Sequence, residues 1–220
     1  MHVGRKVQSF NTQLENQFAT ASTKLIELLS KEGVKNQAYL EGLPYFSQLN
    51  EEQKRTAVER LEGYYELCSE QLSEGQPLRD SKRFTWRALS KFGLVPTSNL
   101  LETIGDGDIV EIYNSEQVQV FRNLEFFDLC SYTLEELFCL EWYRLFRRES
   151  EVSSAIVAMV DELYAKKYPE GLSSPLPHHI VAESISREKI TLNFFMKFIA
   201  PLYKNKQVAG LVCIEQAAII

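Results

Sequence analysis

Residues 108–137, DIVEIYNSEQVQVFRNLEFFDLCSYTLEEL, decide how this chain folds. Asp108 to Asn114 and Gln117 to Asn123 are two short runs rich in Val, Ile, Tyr and Phe, and Asn114-Ser115-Glu116 punctuates them with polar residues. That pattern is a tight β-hairpin. Further on, Thr133-Leu134-Glu135-Glu136 has capping-box spacing. The threonine hydroxyl accepts an amide hydrogen bond while Glu136 reaches back to the cap amide, so a helix starts there and Leu137 begins to bury itself.

Around this stretch the composition narrows the possibilities. The chain has 220 residues, 45% of them hydrophobic, which is ample for a core. Its 24 basic and 30 acidic residues give a net charge of −6, so no general attraction to nucleic acid or anionic lipid is expected. No stretch approaches the roughly 20 apolar residues of a membrane span. The opening MHVGRKVQSF lacks the apolar core of a secretion signal, which makes the cytoplasm the expected location. Cys68, Cys130, Cys139 and Cys213 form no C-x-x-C pair and read as buried, reduced thiols. His178 and His179 are adjacent, so in an extended chain they point to opposite faces and cannot share a metal.

Before the hairpin the periodicity is helical. Leu14, Phe18, Ala21, Leu25 and Leu28 recur at fours and threes within residues 6–31, either a short heptad seam between two copies or an amphipathic helix docked on its own chain. Leu14, Phe18, Leu25 and Leu28 are accordingly the candidate interface residues. Gly33 ends the helix. Residues 34–49 read as a connector with at most a helical turn around Asn36 to Leu40. Asn50 caps a helix over 51–73, carrying Val58, Leu61, Tyr65, Cys68 and Leu72. Asp80 or Ser81 caps another over 81–93, ended by Gly93 and Pro96. Residues 81–104 can also be read as a DNA-binding helix-turn-helix. However, the second helix, from Thr97 or Ser98 to Ile104, holds Glu102 and no Arg or Lys for bases or phosphates. Gly105 to Asp108 is a turn rather than a calcium loop, because the later oxygen ligands are missing.

After the hairpin, Val152, Ile156, Val160 and Leu163 mark a helix over 151–167. His179 to Ser184 is a strand. Strict alternation from Ile190 to Ala200 makes one long strand, and Val208 to Glu215 returns after a turn at Lys204-Asn205-Lys206.

This order of strand, strand, short helices, longer helix and three antiparallel strands resembles the PAS sensor domains over residues 105–218. Asn123 falls where that family often has an asparagine leaving its second strand. Ser131-Tyr132-Thr133-Leu134-Glu135-Glu136-Leu137 is similar to the family's G-Y-S-x-E-E-L signature, with serine in place of glycine. APLYKNKQVAGLV, residues 200–212, resembles its final hairpin. The resemblance implies an α+β fold with a five-stranded antiparallel PAS-like sheet over 100–220, preceded by an all-helical region over 1–99. It implies a pocket walled by Val110, Ile112, Val118 and Val120 from the sheet and by Phe126, Cys130, Trp142 and Val160 from the helices. Ile109, Tyr113, Phe121, Phe195 and Ile199 would then lie on the opposite face, under the N-terminal stripe.

The family's flavin-binding branch resembles N-C-R-F-L-Q around its cysteine, which is absent here, and a haem-binding version would place a histidine within 151–167, where there is none. No cofactor and no metal are expected, and the core should be filled by side chains. No G-x-S-x-G, phosphate-cradling glycine loop or metal-spaced histidines occur. The expectation is a non-catalytic signalling or scaffold protein that forms a homodimer and contacts other signalling proteins, without nucleic acid or membrane partners. The alternative is a sensor whose pocket takes a small apolar ligand and controls the N-terminal helices.

Overall fold

The computed structural model describes residues 3–97 and 99–220, with side chains from Gln13 onward; Ser98, one of the two helix starts considered above, lies outside the described residues. Helices α1 (Val3–Lys31), α2 (Pro44–Gln48), α3 (Glu51–Ser73), α4 (Ser81–Phe92) and α5 (Leu100–Thr103) come first. Strands β1 (Ile109–Asn114) and β2 (Gln119–Arg122) follow, then the short helices α6 (Leu124–Asp128), α7 (Leu134–Cys139) and α8 (Trp142–Leu145). After β3 (Phe146–Arg147) come α9 (Ser150–Tyr164), β4 (Leu172–Ser173), β5 (His179–Glu183), β6 (Thr191–Lys204) and β7 (Gln207–Ile219).

The caps sit where the sequence places them. The Asn50 side chain accepts the Gln53 amide at 2.9 Å, and the Gln53 side chain accepts the Asn50 amide at 3.0 Å. Asp80 accepts the Arg83 amide, and Gly93 ends α4 at φ 65°, a left-handed conformation that glycine adopts without a Cβ penalty. The connector differs from expectation. Residues 36–40 are irregular, and the helical turn forms later, at α2, where Pro44 presets the first helical φ.

One antiparallel sheet runs in the order β2-β1-β7-β6-β5-β3, with β4 paired to β6. It has seven strands where five were expected. The two additional ones, β3 and β4, contain two residues each, too few to show alternation in a sequence. Strand β7 also continues past Glu215, because Ala217 and Ile219 pair with Phe194 and Leu192.

Both faces of the sheet are covered. On one, Val110, Ile112, Phe121, Ala200, Leu202, Val212 and Ile214 belong to the same core as Phe18 and Leu25 of α1, Leu61 and Tyr64 of α3 and Phe84 of α4. Tyr64 sits about 6 Å from the rings of Phe84, Phe121, Phe127 and Phe138, and Phe18 stacks on Phe46 at 4.4 Å. On the other face, Ile156, Met159, Val160 and Leu163 of α9 cluster with Met196, Ile199, Leu211 and Cys213. The N-terminal helices therefore share a core with the sheet. Backbone bonds join them as well: Leu134 N–H donates to Gln37 at 2.9 Å and Glu135 N–H to Ala38 at 3.1 Å.

Candidate functional site

The site is created by a single irregularity in the hairpin. Strand β1 pairs with β2 as Glu111 with Arg122, Ile112 with Phe121 and Tyr113 with Gln119, which leaves Val120 as an extra residue in a bulge. The bulge reverses the alternation of β2, so that Gln119 joins the face of Glu111 and Tyr113 while Phe121 joins the face of Ile112. Polar residues thereby collect on the side of α8 and α9.

Two adjoining hollows lie there, of about 30 and 50 Å³ measured as space for water centres, and they share Glu111, Tyr113, Trp142, Arg148, Phe194 and Glu215. A water needs roughly 10–15 Å³ on this scale, so the space suits a few waters or a very small molecule. Of the eight pocket residues inferred from sequence, Val118 borders a separate hollow, whereas Phe126, Cys130 and Trp142 line the first and Trp142 and Val160 the second. Val110 and Ile112 do not, because they face the core under the N-terminal helices, and Val120 in the bulge packs against that same core. Ile109 and Tyr113 take their place. The expected assignment of faces is reversed along β1, because pairing with β7 and the bulge in β2, not the alternation itself, set which face meets α9; Glu111, between Val110 and Ile112, is buried on the cavity side, 7% exposed.

Glu111 is held from two sides. Tyr113 Oη donates to its Oε2 at 3.0 Å, and Gln119 Nε2 donates to Oε1. Glu215, on β7, hydrogen-bonds to Glu111, and burial together with the Glu111 charge holds its carboxyl well above the usual carboxylate range. Both influences favour the protonated form of Glu215. Across the cavity stands Arg148, its guanidinium centre 5.6–6.0 Å from the rings of Trp142, Phe146 and Phe194. Its Nε is buried and has no hydrogen-bond partner.

Behind Glu111, Arg122 is fully enclosed, donating to the Leu137 carbonyl at 3.2 Å beside the ring of Phe126. Desolvation lowers its pKa. Desolvation and the nearby Arg122 charge bring Arg60 down to about 10. The cysteines are buried or nearly so: burial pushes the Cys130 thiol up to about 12 and raises Cys68, Cys139 and Cys213 as well. Thiols held protonated in this way are poor nucleophiles.

The interface candidates of α1 are placed differently from a seam between copies. Phe18 and Leu25 are fully buried and Leu14 nearly so, all within their own chain, while Leu28 is half-buried against the same core. His178 stacks on Phe195 at 4.6 Å and His179 lies against Phe194, the divergence expected of neighbours on a strand. Among the described residues, no three His, Cys, Asp or Glu side chains are arranged to hold a metal, and no helix is long and apolar enough to cross a membrane.

Two further polar side chains organise the site's surroundings. Glu183 accepts Ser131 N–H, Ser131 Oγ, Ser186 Oγ and Ile190 N–H, which anchors the β5–β6 loop to the start of the YTLEEL segment. Asn123 accepts Val110 N–H at 3.0 Å and donates to the Asp108 carbonyl at 2.8 Å, fastening the end of β2 to the start of β1. Sequence reasoning missed Glu111, Glu215 and Arg148. The one visible signal was a glutamate inside each of two otherwise apolar strand runs. No family model matches this chain, and a search of curated proteins likewise finds no match.

Proposed function

We propose that the chain is a non-catalytic, cytoplasmic signalling module with a PAS-like sheet, acting through contacts of its N-terminal helices with other signalling proteins or a second copy. The element order β1, β2, α6 to α8, α9 and β5 to β7 supports the likeness. One observation carries the functional reading: the same strands present a polar cavity on one face and the core of α1, α3 and α4 on the other. A change at the cavity is thereby next to the helices that would meet a partner. A homodimer would use a surface other than the α1 stripe, whose side chains are occupied within the chain.

Hydrogen exchange of the full chain tests the reading. Glu215→Gln should change amide protection in α3 and α4 as well as in β1 and β7. Changes confined to the cavity face, or an enzymatic turnover abolished by one substitution, would overturn it.

The polar lining favours a second reading, a small-molecule sensor. Glu111, Glu215 and Arg148 suit a polar occupant rather than the apolar one expected from sequence.

A further inference from the structure

The geometry points to a small zwitterion of the α-amino acid class as the cavity's ligand, with its ammonium group between Glu111 and Glu215 and its carboxylate on Arg148. The inference rests on the sensor reading above. Three features converge on it. The carboxyl pair lies on β1 and β7, and Glu111 already has an acceptor site filled by Tyr113 and another by Gln119, so its orientation is fixed before any ligand arrives. Arg148, just after β3, lines the same hollows as the pair with a buried Nε lacking an acceptor, and aromatic rings hold it in place without neutralising it. Together the hollows limit an occupant to about five to eight non-hydrogen atoms, given the space one water needs.

The charges balance. Without ligand, burial and the Glu111 charge favour a protonated Glu215. An incoming ammonium replaces that proton, which leaves Glu215 for solvent, and the ligand carboxylate meets the guanidinium in the planar geometry arginine favours. Binding therefore releases one proton, and affinity rises with pH by up to about tenfold per unit while the pair still holds its proton. The other ionisable groups around the pair are Tyr113 on β1, Arg122 on β2, Cys213 on β7 and Cys130 after α6. Helices α8 and α9 contribute the apolar Trp142, Ile156 and Val160.

The test is calorimetric titration of the full chain with glycine, L-alanine and L-serine at pH 6.5 and 8, in buffers of different ionisation heat, with acetate and methylammonium as half-ligands. Saturable binding of a zwitterion is expected, tighter at the higher pH, with proton release, and at least tenfold weaker for either half-ligand. Arg148→Met removes the guanidinium but keeps an unbranched side chain, and should weaken binding at least tenfold. Glu215→Gln, nearly isosteric, should abolish the proton release. Acetate binding as tightly as glycine would overturn the proposal. So would the absence of saturable heat with all three zwitterions up to roughly 10 mM, a range that includes millimolar affinities. Neither result bears on the transmission of a cavity change to α3, which hydrogen exchange reads separately.

Discussion

Glu135 receives the backbone amide of Phe46 at 3.0 Å across 89 residues of sequence. The same carboxylate accepts Tyr45 N–H at 2.8 Å and Leu40 N–H at 3.1 Å, so one side chain satisfies donors at the start of α2 and in the connector before it. Glu135→Ala should cost about 3 kcal/mol, because the amides it serves lose their acceptor in a part-buried setting. Glu135→Gln, which keeps one oxygen, should cost about 1–2 kcal/mol. Urea denaturation of the two variants checks the order.

Phe18 is fully buried between α1 and the rest of the core and stacks on Phe46. Phe18→Ala should destabilise the protein by about 3–5 kcal/mol. Phe18→Glu should lose near-ultraviolet ellipticity and cooperative melting, rather than convert a folded dimer into folded monomers; circular dichroism paired with sedimentation separates the two results.

Glu215 gives stability a definite pH dependence. Its folded pKa is raised above the unfolded carboxylate value of about 4.3, so above that pH the unfolded chain releases a proton that the folded chain keeps. The contribution of this group to stability is fully present below about pH 4.3 and is lost as pH rises toward the folded pKa. Glu215→Gln removes the dependence. At pH 8 it should be more stable than the natural protein, with the gap closing near pH 4. Thermal melts across that range measure it.

Two glycines should respond oppositely to alanine. A Cβ at Gly210 would lie 2.3 Å from the Tyr113 carbonyl oxygen where β7 meets β1, so Gly210→Ala should cost about 1–3 kcal/mol. Gly63, within α3, has nothing within 4 Å of such an atom, and Gly63→Ala should stabilise by about 0.5–1 kcal/mol. Chemical denaturation of both variants under one set of conditions provides the comparison.

Residues 100–220 expressed alone would uncover Val110, Ile112, Phe121, Val212 and Ile214, which the N-terminal helices bury. Such a fragment should aggregate or bind a hydrophobic dye strongly. A soluble, cooperatively melting monomer would contradict the shared core.

The helices and the hairpin were legible because local signals determine them: the Asn50 and Thr133 capping boxes, the Gly93 stop, and the alternation from Ile190 onward all act within a few residues. The cavity was not legible. Its polar lining depends on which face of β1 meets α9, and that phase is set by the Val120 bulge and by pairing with β7, neither of which leaves a local mark. The alternation of Val110 and Ile112 with Ile109 and Tyr113 marks a strand buried on both faces, but nothing local says which face meets the N-terminal helices, and Glu111 shares the cavity face with Tyr113. The docking of residues 36–46 was invisible for a similar reason, since it rests on Asn36 and Glu135, two polar side chains whose partners are distant backbone groups.

Glu111 and Ile112 are consecutive residues with opposite surroundings, one in the polar hollow and the other in the aromatic core below α3 and α4. Their Cα atoms are separated by a single peptide unit, about 3.8 Å. In the proposed sensor, a charge brought to the first would act one bond plane away from the packing of the second. The sheet would then serve as a diaphragm one residue thick, and a message crossing it would need no lever, hinge or chain of intermediates.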